Sequence, residues 1–217
     1  MTIVVAIDGP AASGKSSVAR RVAARLGFGY INSGSMYRTV TWEVLRQGTD
    51  PENTSSVAHA IEHASVLCSL SDDGEATLQI NGRIPDASLR DERVNRSVSS
   101  VSAIPAVRDV VSAHLRELAA KRSVVIEGRD IGSAVFPETP YKFYLDASPE
   151  IRQKRRAAEG QDDQIATRDR MDSSRSAAPL MRAPDANVVD TSHLTLDGVV
   201  EEILSHLEKG GLSPRNL

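Results

Sequence analysis

The sequence has little cysteine, few aromatic side chains and no long apolar run, and each absence excludes a class of protein. Its 217 residues include one cysteine, Cys68, so an intramolecular disulfide framework is excluded and a reducing compartment, the cytoplasm, is expected. Aromatic residues make up 4%, so the core must be mostly aliphatic. No apolar run approaches the roughly 18 residues of a membrane span, and the N-terminus shows no signal-peptide pattern. We therefore expect a soluble protein with no membrane partner.

Positive charge is not in excess either. The 26 lysines and arginines are outnumbered by 29 aspartates and glutamates, which gives a net charge of −3. Such a chain has no overall basic field, so we expect no nucleic-acid partner, and any polyanion must be bound by a local cluster. Hydrophobic residues at 40% and charged residues at 25% are typical of a globular protein, which excludes intrinsic disorder as the main state.

Short aliphatic runs alternate along the chain with stretches of helical spacing. The run from Ile3 to Ile7 is apolar without alternation, which favours a strand buried on both faces of a parallel sheet. Further strands are predicted at 29–31, 123–127, 141–145 and 187–190. Two runs within 67–80 flank the turn at Asp72-Asp73-Gly74, which predicts an inserted antiparallel hairpin. The pattern predicts an α/β fold with three layers around a central parallel sheet.

A glycine-rich turn follows the first predicted strand and opens a predicted helix. Residues 9–16, Gly-Pro-Ala-Ala-Ser-Gly-Lys-Ser, match the pattern G-x-x-x-x-G-K-[ST] at every fixed position. Such a turn directs successive backbone N–H groups and a helix N-terminus at phosphate oxygens. Lys15 can reach the terminal phosphates, and the Ser16 hydroxyl can bind Mg²⁺. Because strand and helix flank the motif as the chemistry requires, nucleotide-phosphate binding is favoured over a chance match.

The cradle alone does not specify a reaction, because GTPases, motor and transport ATPases and small-molecule kinases all use it. The guanine-reading pattern Asn-Lys-x-Asp does not occur, and the chain is short for a motor. Arg38 and Arg129 follow predicted strands, at the sheet edge where ligands bind, and Arg108 lies in the helix before Arg129. Later in the chain, Arg168, Asp172 and Arg175 are spaced to share one helical face. These features predict a nucleotide-dependent phosphotransferase with an anionic acceptor.

Several segments, taken in order along nearly the whole chain, resemble bacterial cytidylate kinases. They are residues 9–17, 32–38, 104–108, 127–132, 135–137, 168–175 and 178–180. The resemblance implies a P-loop kinase fold within the single domain 1–217. Its core would be 1–66, 85–150 and 176–217, with an insert for the nucleoside monophosphate at about 67–84 and a short lid at about 151–175. Asn32 and Ser35 stand where the family usually has Asp and Ala, and the segment between 156 and 168 is shorter than in most relatives.

The resemblance also implies roles for individual residues. ATP and Mg²⁺ would act with CMP or dCMP as acceptor, and we expect a monomer. Catalysis would depend on Lys15, Arg129 and Arg175, with Ser16 as the metal ligand. The triphosphate would be bound by Gly9, Pro10, Ala11, Ala12, Ser13, Gly14, Lys15, Ser16 and Ser17. The acceptor's phosphate would be held by Arg38, Arg129 and Arg175, its ribose by Tyr37, Arg168 and Asp172, and its cytosine by Ser33, Ser99, Arg108 and Asp130. Candidates to cover ATP from the lid are Arg152, Arg155 and Arg156.

Two alternatives stay open from the sequence. Another small-molecule kinase would use the same cradle for an acceptor such as AMP, UMP or shikimate. A nucleotide-dependent switch would need no acceptor at all, although the arginines on the acceptor side argue against it. No catalytic carboxylate is required for phosphate as acceptor, since its second pKa near ~6 leaves it largely deprotonated at neutral pH.

Overall fold

A computed structural model describes residues 2–71, 74–85, 87–158, 165–175 and 179–213 of the chain. Within these ranges the side chains of Ala87, Arg90, Ile165, Ala166 and Arg168 also lie outside the described part. The predicted turn residues Asp72 and Asp73 therefore fall outside it, although Gly74 does not. None of the described helices is both long and apolar enough to cross a membrane.

Five parallel strands form the central sheet, in the order β2-β5-β1-β6-β7. Their bounds are β1 Val4–Asp8, β2 Gly29–Asn32, β5 Val124–Gly128, β6 Tyr141–Asp146 and β7 Asn187–Asp190. All five are within a residue or two of the predicted runs. Because β1 lies between β5 and β6, it is covered on both edges and on both faces, and Val5, Ala6 and Ile7 are fully buried. The prediction of a doubly buried parallel strand is confirmed.

Helices cover both faces of the sheet and complete three layers. They are α1 Lys15–Leu26, α2 Ser33–Arg46, α3 Thr54–Glu62, α4 Glu92–Ala103, α5 Pro105–Lys121, α6 Pro149–Ala158, α7 Ile165–Ser173 and α8 Leu196–Lys209. Alternate residues of β1 serve the two cores: Val5 and Ile7 pack with α1 and α8, while Ala6 packs with the core of α2, α4 and α5. The predicted three-layer α/β fold is confirmed.

Two helices and one helix end were not predicted from the sequence. The spacing of Val94, Val98 and Val101 places one apolar stripe on α4, but its serines and valines have weak helix preference, so tertiary packing decides this helix. The other helix is the short α3. The prediction that Arg168, Asp172 and Arg175 share one helical face is wrong for Arg175, because α7 ends at Ser173. The Ser174 hydroxyl donates to the backbone oxygen of Met171 at 3.3 Å, a local bond that competes with further helix.

The inserted hairpin consists of β3 Val66–Leu70 and β4 Ala76–Ile80, paired antiparallel as predicted. Leu78 and Ile80 are buried in the core shared with α2. At the end of β4, the Asn81 amide donates to the buried carboxylate of Glu43 on α2 at 2.8 Å. The hairpin is thus fixed against the body of the fold, and the domain boundaries taken from the resemblance stay a prediction.

Candidate active site

The glycine-rich loop between β1 and α1 has the backbone conformation that its sequence requires. Gly9 has φ of 149°, and a Cβ at this position would lie 2.1 Å from the backbone oxygen of Leu145. Gly14, with φ of 89°, is the last residue before α1. Only glycine combines such backbone freedom with such close approach. The loop therefore places the N-terminus of α1 and its partial positive charge at the carboxyl edge of the sheet.

Lys15 is buried inside this loop. Its ammonium donates to the backbone oxygen of Pro10 at 2.5 Å and to the Ser13 hydroxyl at 3.4 Å. Burial, together with the positive charge of Arg129, lowers the pKa of Lys15 to about 7. The charges of Glu127, Asp8 and Asp169 act in the opposite direction, and an anion in the loop would add to them.

The Ser16 hydroxyl faces a carboxylate on β5. It donates to Glu127 Oε2 at 2.9 Å, and Tyr30 on β2 donates its hydroxyl to Glu127 Oε1 at 2.5 Å. Glu127 is 4% exposed, so each carboxylate oxygen depends on these donors. Its backbone oxygen also accepts from the Ser33 hydroxyl at 2.7 Å. Glu127, at the end of β5, thus connects the phosphate loop to the start of α2.

A cleft of about 660 Å³ runs from the phosphate loop across the carboxyl ends of β2 and β5. Its lining combines residues from both halves of the sequence-based site: Ala11, Ala12, Gly14, Lys15, Ser16, Ser17, Ser33, Tyr37, Arg38, Ser99, Arg129, Asp130, Asp172 and Arg175. Leu89, Val98, Ser102 and Arg156 line it as well. Within the described part of the chain, no residue of the hairpin strands belongs to the lining. Arg168 cannot be located, since its side chain lies outside the described residues.

Asp172 of α7 organises the arginines of the cleft. Its carboxylate pairs with Arg175 and accepts from Arg129 Nε at 3.0 Å. Ser99 on α4 reaches the same carboxylate at 3.4 Å, and Arg175 donates to the Ser102 hydroxyl at 2.9 Å. Burial lowers the pKa of Arg175 below its ordinary value, with Asp172 acting in the opposite direction. Helix α4, helix α7 and the turn after β5, which are far apart in the sequence, therefore hold the guanidinium groups of Arg129 and Arg175 close to the Asp172 carboxylate.

A second polar pair at the cleft is Asp130 with Arg108 of α5. The two groups form a buried ion pair, and the exposed fractions of their side chains are 5% and 7%. Arg108 lies behind the cleft surface, 5.6 Å from the centre of the Tyr37 ring. Burial raises the pKa of Asp130, while the charge of Arg108 lowers it. Burial likewise raises the pKa of Tyr37 to about 12, so its hydroxyl stays protonated.

Arg38 reaches the cleft from the second turn of α2. Its guanidinium donates to Asn95 Oδ1 on α4 at 2.6 Å and to the backbone oxygen of Leu89 at 3.3 Å. Both partners are neutral acceptors. These bonds hold the Arg38 guanidinium at the wall of the cleft.

The arginines of α6 lie against the outer side of the phosphate loop. Arg152 donates to the backbone oxygen of Ala11 at 3.1 Å and pairs with Asp169 of α7, which accepts from the Ala11 N–H at 3.2 Å. Arg155 donates to the Thr191 hydroxyl at 2.9 Å, and that hydroxyl donates to the backbone oxygen of Ser13 at 3.0 Å. The predicted lid candidates thus reach the loop, while Arg156 lines the cleft.

Sequence reasoning assigned no role to three carboxylates that the fold brings to the site. Glu127 carried a signal, since it is a charged residue ending an otherwise apolar run. Asp8, at the end of β1, accepts from the N–H groups of Ile131 and Gly132 at 2.9 and 2.7 Å, and burial raises its pKa to about 6. Apart from the charged residues beside it, no pattern in the sequence indicated that Asp169 belongs to the site, because its partner Ala11 is 158 residues away.

The fold and the site together define a phosphotransferase of the P-loop class. A phosphate cradle and a second pocket rich in arginine open into one cleft, at the edge of a parallel sheet where ligands bind. Hydroxyl, carboxylate and guanidinium groups are present on both sides of this cleft. Such an arrangement can hold two polyanions close together.

Comparison with known proteins places the chain in a particular family. The family model described as "Cytidylate kinase" matches residues 5–209. The cytidylate kinase of Nocardia farcinica is 42% identical over 93% of this chain and 91% of its own length. That of Streptomyces griseus is 40% identical over 95% and 93%. A solved sugar kinase from Janibacter covers 99% of the chain and 100% of its own at 16% identity, with a TM-score of 0.46. The chain belongs to the cytidylate kinase family.

Proposed function

We propose that the protein transfers the γ-phosphoryl group of ATP to CMP or dCMP, giving ADP and CDP or dCDP, in pyrimidine nucleotide metabolism. The observation that carries this proposal is the single cleft that joins the Lys15 loop to the buried Asp130–Arg108 pair. Arg129 and Arg175 line the same cleft and supply the positive charge that a moving phosphoryl group needs. Family membership supports the same activity.

The triphosphate is the ligand we assign to the loop of residues 9–17. Its phosphates would displace the internal partners of Lys15 and provide the negative charge that restores this lysine's ordinary pKa. Arg152 and Arg155, already bound to the loop backbone, would close over the donor. No general base is needed, because the acceptor phosphate is largely deprotonated at neutral pH.

A divalent metal, Mg²⁺, fits the residues beside the loop. Mg²⁺ takes oxygen ligands, and the Ser16 hydroxyl with the Glu127 carboxylate behind it is a donor set of that kind. We assign the direct contact to Ser16. When bound, the metal would neutralise charge on the nucleotide phosphates.

The acceptor's phosphate is assigned to Arg38, Arg129 and Arg175. Arg129 and Arg175 are paired with the Asp172 carboxylate. A phosphate is also an anionic acceptor and can take the place of this carboxylate as their partner. Asp172 would then be available to the ribose hydroxyls together with Tyr37 and Arg168. A phosphate dianion forms bidentate pairs with guanidinium groups, which fixes its direction relative to the donor.

Cytosine is assigned to the pocket of Asp130, Arg108, Ser33 and Ser99. Cytosine presents an N4 donor and an N3 acceptor, which match the Asp130 carboxylate and a guanidinium. Uracil presents O4 instead, so two acceptors would oppose each other beside a buried charge. A site of this kind rejects the wrong base strongly, because buried polar groups are left without partners.

We further propose that the protein acts as a monomer in the cytoplasm. Every residue assigned to the two pockets comes from one chain, and the two substrates are nucleotides of that compartment. The insert at about 67–84 and the lid at about 151–175 would move on binding and exclude water from the phosphoryl group.

A panel of acceptors tests the activity. The purified chain is assayed with ATP and Mg²⁺ against CMP, dCMP, UMP, AMP and shikimate, with ADP release as the readout. We expect rapid turnover with CMP and dCMP only. A larger kcat/KM for any other acceptor, or ATP hydrolysis that no acceptor accelerates, would contradict the proposal.

A further inference from the structure

Tyr30 on β2 lies next to the donor site without belonging to its surface. The residue is 6% exposed and is absent from the lining of the cleft. Its hydroxyl nevertheless forms the shortest bond to the Glu127 carboxylate, at 2.5 Å. A tyrosine outside the cleft lining is thus in direct contact with the carboxylate behind Ser16.

The Glu127 carboxylate divides its two oxygens between two hydroxyl groups. Oε1 accepts from Tyr30, and Oε2 accepts from Ser16 at 2.9 Å. A serine hydroxyl has one proton and two lone pairs. When its proton is donated to Glu127, both lone pairs of Ser16 are left for a cation. The direction of the Ser16 hydroxyl therefore depends on where Oε2 lies.

Two further contacts hold Tyr30 in place. Its backbone N–H donates to the oxygen of Gly74 in the hairpin at 2.8 Å. The guanidinium of Arg20 lies 4.7 Å from the centre of its ring and pairs with Glu75 of the hairpin. Burial and the neighbouring Glu127 raise the pKa of the Tyr30 hydroxyl, so it remains a donor at every working pH. The hairpin thus supports this tyrosine from behind.

We propose that Tyr30 is a positioning residue for the divalent metal: its hydroxyl fixes the Glu127 carboxylate, which in turn holds the Ser16 hydroxyl with its lone pairs toward the ion. The proposal rests on the proposed function only for the identity of the reaction. Without the tyrosine hydroxyl, a buried oxygen of Glu127 loses its donor and the carboxylate can turn away. The Ser16 hydroxyl then loses the acceptor that keeps its lone pairs toward the ion.

The test is the substitution Tyr30→Phe, which removes one oxygen and leaves the ring in place. Binding of Mn²⁺ in the presence of ADP is followed by electron paramagnetic resonance, and the Mg²⁺ concentration for half-maximal velocity is measured separately. We expect both midpoints to rise about 10-fold, the usual scale for loss of an outer partner of a metal site. The KM for CMP should change less than about twofold, because the acceptor pocket is untouched.

Tyr141→Phe is the matched control. Tyr141 begins β6 and donates its hydroxyl to the backbone oxygen of Gly210 at 3.3 Å, away from the cleft. The same atom is lost from a strand tyrosine, so its metal midpoints should equal those of the original chain. A rise equal to that of Tyr30→Phe would show a general effect of losing a tyrosine hydroxyl and would overturn the proposal.

A double-mutant cycle with Glu127→Gln locates the effect. Glu127→Gln alone should raise the metal midpoints, and adding Tyr30→Phe to it should raise them less than about twofold further. Independent, multiplying effects would overturn the proposal. Because a midpoint does not depend on the amount of folded protein, partial loss of folding does not obscure the result.

Failure of this inference is distinguishable from failure of the proposed function. If the original chain phosphorylates CMP but Tyr30→Phe leaves both metal midpoints unchanged, the positioning role is wrong and the activity stands. If the chain phosphorylates no acceptor, the proposed function is wrong, while Mn²⁺ binding with ADP still tests Tyr30.

Discussion

Replacing Lys15 by methionine is expected to stabilise the free protein while it abolishes phosphoryl transfer. Among the residues that the structure describes, no carboxylate directly contacts the buried ammonium of Lys15, and its pKa falls from 10.5 to about 7. That difference corresponds to about 5 kcal/mol of folding free energy lost to burying the charge. The apolar methionine does not carry this penalty.

Part of that gain is offset by lost hydrogen bonds. Lys15 donates to the backbone oxygen of Pro10 and to the Ser13 hydroxyl, each worth about 1 kcal/mol, and an acceptor left unpaired costs somewhat more. The net stabilisation of Lys15→Met near neutral pH is therefore about 2 kcal/mol. For a chain of this length it should raise Tm by about 4–8 °C.

The pH dependence follows from the direction of the pKa. A lysine whose pKa is lowered on folding binds fewer protons than in the unfolded chain between about pH 7 and 10.5, so its penalty is full below pH 7 and disappears as pH rises. The gap in unfolding free energy between Lys15→Met and the original chain should shrink by about 2–3 kcal/mol from pH 6 to pH 9. Urea unfolding across this range measures it.

Lys142→Met is the control for removal of a buried lysine. Lys142 is buried to the same extent, but it donates to the Asp185 carboxylate at 2.7 Å and to the backbone oxygen of Pro137 at 2.6 Å. This variant should lose about 1–2 kcal/mol. A Lys15→Met protein that is no more stable than the original at pH 6, or a gap that does not change with pH, would refute the reasoning.

Two other substitutions test the acceptor pocket and the attachment of the hairpin. Asp130→Asn should reduce the preference for CMP over UMP about 100-fold in kcat/KM, because an amide can turn its donor toward uracil O4; an unchanged ratio would remove Asp130 from base recognition. Glu43→Gln should lower the free energy of unfolding by about 2–3 kcal/mol, measured in urea, since Glu43 is 1% exposed and accepts from Arg46 at 2.7 and 2.8 Å and from Asn81. A loss confined to kcat would contradict that structural role.

The phosphate loop could be predicted from the sequence because its geometry is local. Gly9 and Gly14 have backbone conformations that glycine favours, and Lys15 is at a fixed distance along the same segment. The strands were predictable for a similar reason. A run of aliphatic residues with no polar residue in alternation leaves neither face of a strand suited to water, so the strand must be buried on both faces. Helix α4 could not be predicted in this way, since its serines and valines have weak helix preference and its packing against α2 and α5 decides its form.

The positions of the acceptor residues were less accessible to sequence reasoning. The spacing of Arg168, Asp172 and Arg175 predicted a common helical face, yet the helix ends before Arg175 and the ion pair with Asp172 forms across the helix end. The resemblance to known kinases indicated which residues belong to the acceptor site. The structure then showed that most of them line one cleft.

The sequence by itself determined the parallel α/β order and the anion-binding loop, because both follow from residues close together along the chain. Only the tertiary structure decided which charges meet. Ser16 and Glu127 are separated by 111 residues, and Arg129 and Asp172 by 43. Parallel strands bring their carboxyl ends to one edge whatever the length of chain between them, so contacts at that edge carry no signal in sequence spacing.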